Sequence, residues 1–172
     1  MTVAKLTTFY RYYAGEGTKP RPEFYSKQLA LTSFCNALNV ADGTGVFLVD
    51  GDAPQAARRL MHNNGHVVEI DGGSARKSYR AMLEMAAGFT AGDGLVWFAE
   101  DDYLYRRDAL ICLQDAARRF PGDVYFSLYS PRDIVGLPEW TLWSPARSTT
   151  SSFGVRAATL IRDLWLLRQA PL

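Results

Sequence analysis

Three carboxylates stand in succession at Glu100-Asp101-Asp102, just after the apolar run Leu95 to Phe98. Adjacent like charges repel, and hard divalent ions prefer oxygen ligands, so a bound cation is one way to relieve the cluster. The competing reading is a helix start, with Asp101 or Asp102 as the cap and Glu100 facing solvent. Upstream, Gly72-Gly73-Ser74-Ala75-Arg76 joins two glycines, a hydroxyl and a guanidinium ahead of a helix. Its backbone amides, with Arg76, suit a phosphate or a base edge, although a tight turn with a capped helix calls for the same residues. Asp50 and Asp52 follow the run Val46 to Val49 and offer acceptors for a ribose or a base N–H, or else cap a helix. Tyr10, Arg11, Tyr12 and Tyr13 supply aromatic faces and one cation, suited to stacking on a base or to core packing.

These residues need a scaffold that brings them to one place. Ala4 to Tyr10, Val46 to Val49, His66 to Ile70, Leu95 to Phe98 and Val124 to Leu128 read as strands, rich in β-branched and aromatic residues. Between them, Phe24 to Leu38 carries an apolar stripe at helical spacing. Further helices are expected from Ala53-Pro54 onward, over Ala75 to Gly88 and over Arg107 to Phe120, and a last one over Ala157 to Leu167. Strands alternating with helices imply an α/β fold with a mainly parallel sheet covered on both faces. Ligands of such sheets bind beyond the carboxyl ends of the strands, where all four polar clusters fall. Pro131 to Ser152 breaks the pattern with Pro, Gly, Trp and a Ser/Thr run, and is expected to wall a substrate site with short extended pieces.

Composition narrows the classes. The chain has 172 residues, 48% hydrophobic and 22% charged, which suits one globular domain spanning 1–172. Its 19 Lys plus Arg against 18 Asp plus Glu give a net charge of +1 without a basic stripe, so a nucleic-acid surface is disfavoured. Cys35 and Cys112 lack metal-ligand or disulfide spacing and read as buried small hydrophobes in helices. His62 and His66 form no zinc-like set, and surface or capping roles are expected. The amino terminus lacks a signal-peptide core and no segment has the length of a membrane span, so a cytoplasmic protein is expected. Trp140 and Trp143 are flat apolar surfaces of the kind that carry sugar rings, and also common core anchors.

Together the segments resemble the nucleotide-sugar-binding half of GT-A fold glycosyltransferases, especially the family 2 group, over roughly Lys5 to Leu110 and again around Thr149 to Leu160. The matching text is Gly72-Gly73-Ser74-Ala75-Arg76-Lys77, followed by Val96-Trp97-Phe98-Ala99-Glu100-Asp101-Asp102. The second stretch is similar to the Asp-x-Asp motif, in the Glu-Asp-Asp form of some N-acetylglucosaminyltransferases. The resemblance implies a Rossmann-like three-layer α/β/α sandwich. It implies Mn²⁺ or Mg²⁺ on Asp102, helped by Glu100 or Asp101. It further implies nucleotide-sugar contacts from Tyr10, Arg11, Tyr12, Asp50 or Asp52, Gly73, Arg76 and Asp101. Residues 1–130 would then hold the donor, and residues 131–172 would form the acceptor side. Two departures stand out: Lys77 replaces the Asn usual after the turn, and the late acidic residue that serves as base in inverting relatives has no clear counterpart. Asp133, Glu139 and Asp163 are the candidates for that base.

The implied reaction moves a sugar from a nucleotide-diphosphate sugar to a carbohydrate or other hydroxyl acceptor, with the metal as Lewis acid and template. Two alternatives remain. Nucleotidyl transfer would use Gly15, Gly17, Lys19 and Arg21 after the first strand, although these do not form a phosphate-loop pattern. A non-catalytic domain that binds nucleotide or carbohydrate fits the missing late acidic motif.

Overall fold

A computed structural model of the protein describes residues 5–15, 20–90, 92, 94–128, 143 and 152–169. Asp133, Glu139 and Trp140 lie outside the described residues. The chain runs β1 (Leu6–Tyr13), α1 (Lys27–Val40), β2 (Thr44–Asp50), α2 (Gln55–Asn64), β3 (Gly65–Ile70), α3 (Ala75–Phe89), β4 (Leu95–Glu100), α4 (Ala109–Arg119), β5 (Phe153–Arg156) and α5 (Ala157–Leu167). The five strands form one sheet in the order β3-β2-β1-β4-β5. All ladders are parallel except β4 with β5, which is antiparallel. This is the expected three-layer α/β/α architecture with a mainly parallel sheet.

Alternation along the strands divides the core in two. Leu6, Tyr10 and Tyr12 of β1, Phe47 and Val49 of β2, and Trp97 and Ala99 of β4 pack against α1, α2 and α4. Phe9, Val46, Leu48, Val96 and Phe98 face the other way, onto α3 and α5. Central strands buried on both faces must be continuous apolar runs, which is why β2 and β4 read so plainly in the sequence. At the start of β3 the backbone comes so close to β2 that a Cβ on Gly65 would overlap the carbonyl of Gly45, its partner in register. Glycine permits that approach.

Several strand and helix bounds shift by a few residues from the expected pattern, and other departures go further. β1 continues to Tyr13, because pairing with β2 holds as far as Tyr13 opposite Asp50 and Ala14 N–H donates to the Asp50 carbonyl at 2.8 Å. Helix α1 starts at Lys27, where Ser26 caps it by accepting from Leu29 N–H at 3.1 Å. The expected fifth strand, 124–128, is reduced to one bridge between Phe126 and Gly154. Asp123, just before it, and Tyr125 within it are bound to α5: Thr159 donates to Asp123, and Tyr125 to Asp163. Finally, Cys35 is buried as expected but Cys112 is exposed. Leu110, Leu113, Ala116 and Ala117 form the buried stripe of α4, and position 112 falls at the edge of that stripe.

Both histidines are exposed. Among the described residues no helix is long and apolar enough to cross a membrane.

Candidate functional site

Strand order reverses at β1, with β2 on one side and β4 on the other. Crossover helices therefore leave on opposite faces there and open a crevice beyond the carboxyl ends of β1 and β4. The acidic triplet ends β4 at this position, with Glu100 directly opposite Arg11 in register.

Each carboxylate of the triplet has its own cation, and the three point different ways. Glu100 forms an ion pair with Arg11, whose other terminal nitrogen donates to the carbonyl of Ala75 at 2.6 Å, tying β1 to the first turn of α3. Asp101 accepts from the backbone N–H of Tyr13 at 3.0 Å and lies 3.5 Å from the Lys27 ammonium. Asp102 meets Arg21 through Oδ2 at 3.2 Å, while its Oδ1 is buried and has no hydrogen-bond partner. Burial raises the Asp101 carboxyl above its ordinary value, and the nearby Lys27 charge works against that rise.

Lys27 and Arg21 join β1, α1 and the triplet. Lys27 is the first residue of α1, where a cation opposes the helix dipole. It is compensated by Asp101, by hydrogen bonds to the carbonyls of Tyr13 and Gly15, and by the ring faces of Tyr12 and Tyr13. Arg21 lies over the ring of Tyr25, at 5.1 Å from its centroid, and the Tyr25 hydroxyl donates to the Asp101 carbonyl at 2.7 Å. Reading the chain as a sequence missed Lys27 and Tyr25 altogether. The one available signal was a lysine at the positive end of a helix, a placement that asks for an anion nearby.

The second cluster is built around Asp50, which is only 8% exposed. One oxygen accepts from Gly72 N–H at 3.3 Å and the other from the Ser78 hydroxyl. A side chain at Gly72 would overlap both that hydroxyl and the Asp50 carboxylate, so the first glycine of the turn is there for close approach. Ser74 caps α3 by accepting from Lys77 N–H at 3.3 Å. Gly73, at φ 61°, and Arg76 are exposed. Asp52 is fully exposed and lies 3.6 Å from Arg58.

Several candidate residues stand apart from the crevice surface. The Tyr10 ring is buried in the α1 side of the core against Phe34 and Phe47, at centroid distances of 4.6 and 5.9 Å. Tyr12 is 3% exposed on the same face. Alternation puts these two on one side of β1 and Arg11 on the other. Asp163 lies on α5, where Arg162 and Tyr125 occupy its carboxylate. The Arg162 hydrogen bond holds the Asp163 carboxyl below its ordinary value. Trp143 packs edge-on against Phe126.

A divalent ion can be tested against this donor set. Among the described residues no three His, Cys, Asp or Glu side chains converge into a cage. Mg²⁺ sites at phosphates, however, usually need one or two carboxylates, with substrate oxygens and water completing the shell. The buried, unpartnered Oδ1 of Asp102 fits that mode, whereas Glu100 is engaged with Arg11.

Comparison with protein-family models gives no match, and comparison with curated protein sequences gives none either. Among solved structures, the fold is similar to the crystal structure of a 4-diphosphocytidyl-2C-methyl-D-erythritol synthase. The TM-score is 0.55 at 14% identity, and the match covers 100% of this chain and 82% of that one. At that identity the likeness is one of fold, and it places this chain with Rossmann-like α/β domains of the GT-A type.

Proposed function

We propose that this protein is a metal-dependent glycosyltransferase that takes a sugar from a nucleoside-diphosphate sugar and passes it to a hydroxyl acceptor. The observation that carries this reading is the buried, unpartnered Oδ1 of Asp102 at the end of β4, beside β1 at the strand-order reversal. Asp102 would hold Mn²⁺ or Mg²⁺, which when bound neutralises the diphosphate as the leaving group departs. Asp101 fixes the end of β1 through the Tyr13 amide, and Glu100 fixes Arg11, so these two hold the crevice in shape around Asp102. Asp50 positions the Gly72 to Arg76 turn, leaving Asp52, Gly73 and Arg76 exposed toward a nucleoside or diphosphate. In an inverting reaction Asp133 or Glu139 would take the acceptor proton.

Asp102→Asn is expected to abolish metal-dependent nucleotide binding while leaving the fold intact. Thermal shift with UDP, GDP, CMP and dTDP, each with and without Mn²⁺, measures it, since specific binding raises apparent stability. Equal shifts in the parent and Asp102→Asn would reject the assignment.

A second reading, nucleotidyl transfer, is supported by the name of the fold neighbour, a synthase of a diphosphocytidyl compound, and by Arg21 reaching the triplet from the loop after β1. Product analysis separates the two. Pyrophosphate release from a nucleoside triphosphate marks nucleotidyl transfer, and free nucleoside diphosphate from a sugar donor marks glycosyl transfer.

A further inference from the structure

The loop after β1 brings Arg21 onto Asp102, the residue assigned above to the metal, and this contact has a consequence for how ligands bind. Glu100, Asp101 and Asp102 are matched by Arg11, Lys27 and Arg21, so the triplet is balanced in charge before any ligand arrives. A divalent ion entering alone at Oδ1 of Asp102 would meet a carboxylate whose Oδ2 is already paired with Arg21, and would leave excess positive charge among partly buried groups. A diphosphate entering with the ion removes that excess. It also offers Arg21 a better partner, since a guanidinium fork matches phosphate oxygens.

The three cations differ in how firmly they are held. Arg11 bonds Glu100 and the Ala75 carbonyl, and Lys27 bonds Asp101, two carbonyls and two rings. Arg21 has one carboxylate oxygen and the face of Tyr25, and its side chain is 33% exposed. The Tyr25 ring lies under the guanidinium while it is paired with Asp102.

We infer that Arg21 is a charge-exchange latch: it occupies Asp102 in the free protein and transfers to the donor diphosphate when donor and metal bind, making their binding mutually dependent. The inference rests on the proposed metal role of Asp102. In it, Arg21 is a binding residue, on Asp102 in the free protein and on the diphosphate in the complex.

Mn²⁺ binding, followed by electron paramagnetic resonance of the free ion and by calorimetry, tests the latch in the parent protein, Arg21→Gln, Arg21→Lys and Asp102→Asn. The nucleotide probe is UDP, with GDP, CDP and dTDP as parallel arms. Arg21→Gln should bind Mn²⁺ alone about tenfold more tightly than the parent, the usual size of a coupling between two sites. It should also lose most of the gain in Mn²⁺ affinity that the nucleotide gives the parent. Arg21→Lys should keep both properties of the parent, which separates a charge effect from damage to the loop. If Arg21→Gln binds Mn²⁺ no more tightly than the parent while Asp102→Asn abolishes binding, the latch is overturned and the metal site stands. If the parent binds neither Mn²⁺ nor any of the nucleotides, the metal site and the latch fall together.

Discussion

At the scale of single residues, the polar groups divide into those that hold the site and those left open to a ligand. Asp50 is the clearest holder, since its two oxygens are occupied by Gly72 N–H and the Ser78 hydroxyl. The Gly72 to Arg76 turn is thus fastened to β2 from beneath. Gly72→Ala would force the new methyl group into both the Ser78 hydroxyl and the Asp50 carboxylate. It is expected to lower stability by about 1–3 kcal/mol, the usual cost of overpacking, read as a reduced urea midpoint with an unchanged slope. A stability within error of the parent would show that the turn gives way easily.

At the scale of elements, the segment after α4 is fixed by side chains rather than by a strand ladder. Thr159 and Arg162 bind Asp123, and Arg162 and Tyr125 bind Asp163, so one arginine on α5 serves two carboxylates. The hydrogen bond from Thr159, then that from Arg162, holds Asp123 below its ordinary value, and Arg162 does the same to Asp163. A carboxyl depressed in the folded state adds stability that is present above its unfolded value and lost as pH falls through the folded one. Arg162→Ala should therefore melt below the parent at neutral pH, with the gap closing as pH falls below about 4, where carboxylates begin to protonate. Melting curves across that range check it, and a gap independent of pH would remove the ion pairs from the account.

At the scale of the whole molecule, one sheet separates two apolar layers, and both layers draw on the same central strands. Phe34 belongs to the layer under α1 and Phe98 to the layer under α3 and α5. Because β1, β2 and β4 contribute to both, neither layer can come apart while the other stays packed. Phe34→Ala and Phe98→Ala are each expected to cost about 3–5 kcal/mol, within a total stability of about 5–15 kcal/mol. Each should shift a single transition seen alike by far-ultraviolet circular dichroism and tryptophan fluorescence. Two separated transitions in either variant would argue for two folding units.

The amino-acid sequence alone determined the layers and the four parallel strands of the sheet, because strands buried on both faces must be unbroken apolar runs and the helices between them must carry one apolar stripe. It also located the triplet and the Gly72 turn, since polar groups at strand ends stand out against such runs. Only because β1 runs on to Tyr13 does alternation separate Tyr10 and Tyr12 from Arg11, which the sequence presents as one cluster. The tertiary structure decided the partners. Arg11 meets Glu100 only because β1 and β4 are neighbours in register, and Arg21 and Lys27 reach Asp102 and Asp101 across 81 and 74 positions of chain. Charges that far apart in sequence are matched by the packing of α1 beside the strand ends, and no local pattern encodes that pairing.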